Sequence, residues 1–138
     1  MTPWSLEYEG TRFARFFLSL PEYEQVVLSA ALRNVLEVEG IGVCSGEWGK
    51  PLGHGLYEFR VRKSLDDIPA LDAAESPPAG VGTDRPVLLR IFCTFYGSKI
   101  VLLYSGYDKK RDSSAKRQQK EISQARKIHQ QWKLTGRH

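Results

Sequence analysis

Cysteine and long apolar runs are both scarce in this sequence of 138 residues. Its two cysteines, Cys44 and Cys93, lack the spacing of a metal site or a disulfide framework. The longest strongly apolar run, 100–104, is far shorter than the roughly 18 residues that span a membrane. The first residues also lack the basic and apolar stretches of a secretory leader. We therefore expect a cytoplasmic protein with reduced thiols and no membrane partner.

Histidine is also sparse, with three copies at His54, His129 and His138. Residues so far apart show no metal-ligand spacing, so we expect no metal and no cofactor. Hydrophobic residues make up 41% and charged residues 26% of the chain, which excludes wholesale disorder. The length fits a single domain over residues 1–138.

Charge is distributed unevenly along the chain. Residues 1–50 hold seven acids and four bases, whereas residues 105–138 hold ten bases and three acids, a net charge of +7. A basic segment of this kind suggests a polyanionic partner, most often a nucleic acid. The alternative is a solvated basic helix without such a partner.

The pattern of apolar residues predicts seven elements. Alternation predicts strands, and apolar residues three or four positions apart predict helices. In order they are a strand at 4–8, helices at 13–20 and 22–38, strands at 56–63, 87–96 and 99–104, and a final helix capped by Ser113 or Ser114. Glycine-rich residues 41–55 are expected to be a loop.

These elements predict an α+β fold with the order β-α-α-β-β-β-α. We expect a small four-stranded sheet in which the last three strands form an antiparallel meander and the first strand pairs at one edge. The N-terminal helix pair should pack on one face, with a basic C-terminal helix following. Ser19 to Glu22 resembles a capping box, and Gly97-Ser98 predicts a two-residue hairpin.

Residues 64–86 interrupt this pattern as an insertion rich in proline, glycine and acids. A loop of this length is uncommon within a compact domain. One hypothesis is that it lies near the basic sheet face and tunes access to RNA or to a protein partner. The alternative is an unstructured insertion without a role.

Several segments together resemble the RelE/HigB/ParE superfamily of bacterial toxins, in its HigB-like branch. They are 4–9, 16–20, Leu56-Tyr-Glu-Phe-Arg-Val-Arg62, Arg90-Ile-Phe, 100–104 and Gly106-Tyr-Asp-Lys-Lys110. The resemblance covers most of the chain except 64–86. It implies the toxin of a type II toxin–antitoxin pair, an mRNA endoribonuclease acting on the translating ribosome. It also implies a neutralising antitoxin, often one with a helix-turn-helix domain.

Cleavage of this kind uses the 2′-hydroxyl of the RNA as nucleophile, so the enzyme must stabilise phosphate charge and move protons. On the family's pattern, Arg60 and Arg90 would stabilise the phosphate, Lys109 would grip it, and Tyr107 would stack on a base or transfer a proton. RNA-binding roles are expected for Arg62, Lys110, Arg111 and Arg117. HigB-like chains often have histidine near Tyr104, which weakens any case for histidine catalysis there.

Each of these expectations has a simpler alternative. The arginines of 56–63 could be ordinary solvent-facing residues or pair with Glu58, and paired lysines at a turn are usually just solvated. At the level of the whole protein, a ParE-like inhibitor of DNA gyrase and a non-catalytic RNA-binding domain remain open.

Overall fold

The computed structural model describes residues 2–69 and 82–136. These residues form a five-stranded sheet with three principal helices. The strands are β1 (Ser5–Tyr8), β2 (Gly49–Gly53), β3 (Leu56–Val61), β4 (Leu89–Tyr96) and β5 (Ile100–Asp108). The helices are α1 (Arg12–Ser19), α2 (Glu22–Ala31) and α3 (Ala115–Leu134). The middle of the predicted insertion, 70–81, lies outside the described residues.

The sheet has the strand order β1-β5-β4-β3-β2. Strands β3, β4 and β5 form the predicted antiparallel meander, and β1 pairs in parallel with β5 at one edge. The sequence pattern therefore predicted the α+β class and the mixed edge.

The prediction of four strands was wrong, because part of the expected loop 41–55 forms β2. Lys50 pairs with Glu58 of β3, and the hairpin closes through Gly53, His54 and Gly55, all with positive φ. Because β2 contains glycine and proline, it lacks the alternation of apolar and polar residues by which strands are predicted. At a sheet edge, however, the missing N–H of a proline is tolerated, and Pro51 lies on such an edge strand.

The helix pair packs on one face of the sheet, as expected. α2 continues through a π-helical turn at Leu32–Leu36 and a further turn at Glu37–Glu39. The main core joins both layers and includes Phe13, Val27, Leu28, Phe59, Ile91 and Leu103. The predicted capping box is wrong: Pro21 is the N-cap of α2, and the Ser19 hydroxyl donates to the carbonyl of Phe16 instead.

α3 packs on the opposite face, over a smaller core that includes Leu56, Phe92, Tyr104 and Trp132. Ser114 caps this helix, since its hydroxyl accepts a hydrogen bond from the Arg117 amide at 3.1 Å. The cap confirms one of the two predicted positions. The alternation of residues in 56–63 predicts that one face of β3 points to solvent. α3 covers part of that face.

The connection between β4 and β5 differs slightly from the prediction. Tyr96 pairs with Ile100, so three residues form the turn. Gly97 and Lys99 both have positive φ, at 56° and 59°. In three-residue hairpin turns the last residue commonly has positive φ, and here that residue is Lys99. The predicted two-residue turn did not include it.

Candidate functional site

Arg60, Arg90 and Tyr107 lie side by side across three strands. Arg60 of β3 is the register partner of Arg90 in β4, and Arg90 is the register partner of Tyr107 in β5. Directly opposed residues share a face of the sheet and lie about 5 Å apart. The three residues, called here the cross-strand row, thus present their side chains together on the α3 side.

A single buried carboxylate joins the two arginines. Glu58 Oε1 accepts a hydrogen bond from Arg60 Nε at 2.8 Å and lies 3.7 Å from Arg90 Nε. Glu58 is 1% exposed and Arg90 4% exposed. Burial lowers the pKa of Arg90, and the charge of Glu58 opposes that effect. Because one carboxylate faces two guanidiniums, the row retains positive charge.

Several buried polar atoms beside the row have no hydrogen-bond partner among the described residues. They are Glu58 Oε2, Arg90 Nε and Nη1, Ser105 Oγ and Tyr107 Oη. A buried orphan of this kind costs about 1–3 kcal/mol, and native proteins hold few of them. A cluster of such donors and acceptors is rare in native proteins, so this buried part of the α3 face is a candidate polar site.

The Tyr107 side chain is held on both sides. Its ring stacks on Phe92 with centroids 6.1 Å apart, and the Arg117 guanidinium lies 5.4 Å from the ring centroid. Arg117 is held in turn by Glu121 at 2.8 Å. At 1% exposure the ring offers no open face, so the expected stacking of an RNA base on Tyr107 is not supported. Burial raises the pKa of the Tyr107 hydroxyl, which favours its protonated form.

The remaining predicted residues divide into two groups. Lys109 continues the pairing of β5, with its amide donating to the Leu88 carbonyl at 2.9 Å, and alternation places it on the face of Tyr107. Arg62 follows Arg60 in the same way and is exposed. By contrast, Lys110 Nζ donates to the Pro86 carbonyl and Arg111 Nε lies 3.8 Å from Asp108. The fold brings Arg62, Lys109 and Arg117 towards the row but turns Lys110 and Arg111 towards neighbouring loops.

Sequence reasoning missed a second polar contact under α3. The buried Tyr104 hydroxyl lies 2.6 Å from His129 Nδ1, and His129 Nε2 lies 3.0 Å from the His54 carbonyl. A carbonyl only accepts, so Nε2 carries a proton, and in the neutral imidazole Nδ1 then accepts from the Tyr104 hydroxyl. Burial raises the pKa of Tyr104, consistent with this donor role. No spacing along the chain indicates that His54 and His129 meet.

Ser105 and the inward role of Glu58 were also missed. Glu58 lies between Leu56 and Arg60 on one face of β3, and alternation alone assigns a charged residue at that position to solvent. Covering that face requires α3, whose position depends on tertiary packing. The simpler alternative for Arg60, pairing with Glu58, is therefore part of the arrangement.

The comparisons bring no relative to this chain: no family model, no curated protein and no solved structure matches it. Across the described ranges 2–69 and 82–136, none of the helices combines the length and apolar character needed to cross a membrane. The same ranges contain no group of three or more His, Cys, Asp or Glu side chains arranged to hold a metal ion.

Proposed function

We propose that this chain is an mRNA endoribonuclease, the toxin of a type II toxin–antitoxin pair. The observation that carries the proposal is the cross-strand row, in which Arg60 and Arg90 face one carboxylate beside unpartnered donors. A phosphodiester supplies the negative charge and the acceptor oxygens that this arrangement lacks. The resemblance of the sequence to HigB-like toxins supports the same conclusion independently of the geometry.

The reaction needs a cation at the phosphate more than any other group. Attack of the 2′-hydroxyl on phosphorus forms a 2′,3′-cyclic phosphate and releases the 5′-oxygen of the next nucleotide. Guanidiniums fixed on a sheet stabilise the charge that develops on the non-bridging oxygens. Arg60, whose side chain is 21% exposed, would contact these oxygens, and buried Arg90 would add its charge from beneath. Lys109 and Arg62 lie at the rim, so the proposed chemistry is metal-independent.

One member of the row, Tyr107, suits the proton transfer to the leaving group. The Tyr107 hydroxyl is protonated at neutral pH, has no partner among the described residues and is buried, so it would protonate the departing 5′-oxygen once bound RNA displaces the Arg117 side chain that covers its ring. Glu58, buried and in contact with Arg60 and Arg90, fixes the direction of both guanidiniums.

The proposed partners are mRNA, the translating ribosome and a cognate antitoxin, in the cytoplasm. The basic sequence of α3 suits the negative surface of ribosomal RNA. All three partners come from the resemblance, and the charge of α3 supports the ribosome and the mRNA.

The test is to map RNA 3′ ends in a cell-free translation reaction and on the same RNA without ribosomes. The protein is treated with EDTA before it is added to either reaction. We expect codon-phased cuts that disappear in Arg60→Ala and Lys109→Ala and persist in Lys99→Ala, a lysine in the turn before β5, at the opposite end of that strand from Lys109. Cuts on free RNA would remove the ribosome from the proposal. The absence of cuts in both reactions would contradict the nuclease, and DNA supercoiling by gyrase would then be assayed.

A further inference from the structure

A cavity lies on the α3 side of the sheet, between that helix and the hairpin joining β2 to β3. Its volume is about 480 Å³, and its polar lining includes His54, Arg126, Gln130 and Lys133. β3 leaves this hairpin at Leu56 and reaches Arg60 four residues later, a distance of about 13 Å at 3.3 Å per residue. The hairpin cavity and the cross-strand row are thus two positions along one strand.

The cavity wall is held in place from α3. Arg126 Nη2 donates to the Leu52 carbonyl at 2.6 Å, and Lys133 Nζ donates to the His54 carbonyl at 3.3 Å. His129 Nε2 donates to the same His54 carbonyl at 3.0 Å. A hairpin with three successive positive-φ residues is therefore shaped before any ligand binds.

The charges around the cavity are not neutralised by its own lining. Arg126 and Lys133 bind carbonyl oxygens, which satisfy hydrogen bonds but carry no full charge, and none of the described residues that line the cavity is a carboxylate. Exposed Lys50 of β2 is the register partner of Glu58 in β3, so it lies along the strand between the cavity and Arg60. Positive side chains thus follow the strand from the cavity to the row, as a groove for a nucleic acid backbone requires.

We propose, on the basis of the proposed function, that the hairpin cavity binds a nucleotide flanking the cleaved bond of single-stranded RNA. Arg126 and Lys133 attract its phosphate. The Gln130 amide and the exposed His54 imidazole each offer a donor and an acceptor to the edge of its base. The cavity lies about 13 Å from the row, which corresponds to about four nucleotides if the bases are stacked and to fewer if the RNA is extended.

The experiment uses the full chain and a short RNA with a 2′-deoxy residue at the cut site, so that binding is measured without cleavage. Lys133→Ala should weaken binding about threefold to tenfold and reduce the dependence on salt. Lys127→Ala, the same charge change on the opposite side of α3, should change affinity less. A similar loss in both variants would overturn the position of the RNA.

Base recognition is tested with Gln130→Ala and His54→Gly, the latter chosen because glycine accepts the positive φ of His54. Both should reduce the difference in affinity among homopolymeric RNAs, while Gln131→Ala on the other side of the helix should not. Unchanged preference in both variants would overturn the base contact.

These outcomes separate the two proposals. RNA that binds through Lys133 and Gln130 but is never cut would contradict the nuclease and leave the cavity assignment intact. If the cavity variants bind RNA with unchanged affinity and cut it normally, the cavity assignment is wrong and the nuclease stands. Failure to bind RNA at all would overturn both.

Discussion

Glu58 is the residue on which the candidate site depends. Its carboxylate is the only acid in contact with Arg60 or Arg90 among the described residues, and it is almost fully buried. Arg90 is buried as well, so its charge relies on this one partner. A buried ion whose partner is removed costs far more than the pair contributes.

Glu58→Gln should therefore destabilise the protein, by about 3 kcal/mol in the free energy of unfolding measured by urea denaturation. The amide keeps the shape of the side chain but leaves Arg90 without a counter-charge. Glu47→Gln is the control, since the Glu47–Lys63 pair is at the surface and such pairs contribute little. Equal losses in the two variants would show that Glu58 has no special role.

The buried hydroxyl of Tyr107 predicts a dependence of stability on alkaline pH. Its pKa in the folded protein is raised above the ordinary value of 10.0, chiefly by burial. The protonated form is thus favoured by folding, so its contribution is complete below pH 10.0 and is lost as pH rises towards the folded pKa.

We expect the free energy of unfolding to fall above about pH 10, and to fall less steeply in Tyr107→Phe. Denaturation curves collected across this pH range measure both slopes. Tyr8→Phe removes the hydroxyl of a half-exposed tyrosine and is the matched control. A slope unaffected by Tyr107→Phe would contradict the role assigned to burial.

At the scale of elements, local patterns predicted most strands and helices, but not how they meet. Alternation in 56–63 is visible in the sequence because it depends on neighbouring residues alone. The pairing of Arg60 with Arg90 depends on register between strands, and the contact of His129 with the hairpin depends on packing of α3. β2 was missed because its glycines and proline suit an edge strand shaped by its partner.

The β2–β3 hairpin gives a direct test of that packing. Gly55→Ala should destabilise the protein more than Gly53→Ala, although both residues have positive φ near 90°. A Cβ at position 55 would lie 3.1 Å from His129 Nε2, whereas one at position 53 meets nothing within 4 Å. The left-handed backbone costs each variant about 1 kcal/mol.

Thermal and urea denaturation of the two variants measure the difference, which reports the crowding against His129 alone. Equal destabilisation would mean that the imidazole moves aside without cost. In that case α3 would not hold the hairpin in the way that its hydrogen bonds indicate.

At the scale of the molecule, the sheet lies between two helical layers of different charge. The helix pair, whose two arginines balance its two acids, covers one face of the sheet, and basic α3 covers the other. The cross-strand row and the hairpin cavity both lie on the α3 side. RNA binding should therefore be confined to one face and should be sensitive to salt.

Charge reversal on each face tests this expectation. Lys120→Glu on α3 should weaken binding of the non-cleavable RNA and make the slope of log affinity against log salt shallower, by about 0.7 for each phosphate that the protein no longer neutralises. Glu22→Lys on α2 changes the net charge by the same amount in the opposite direction and should leave the slope unchanged. If Glu22→Lys strengthened binding as much as Lys120→Glu weakened it, net charge alone would govern the interaction. The basic face would then attract RNA without orienting it.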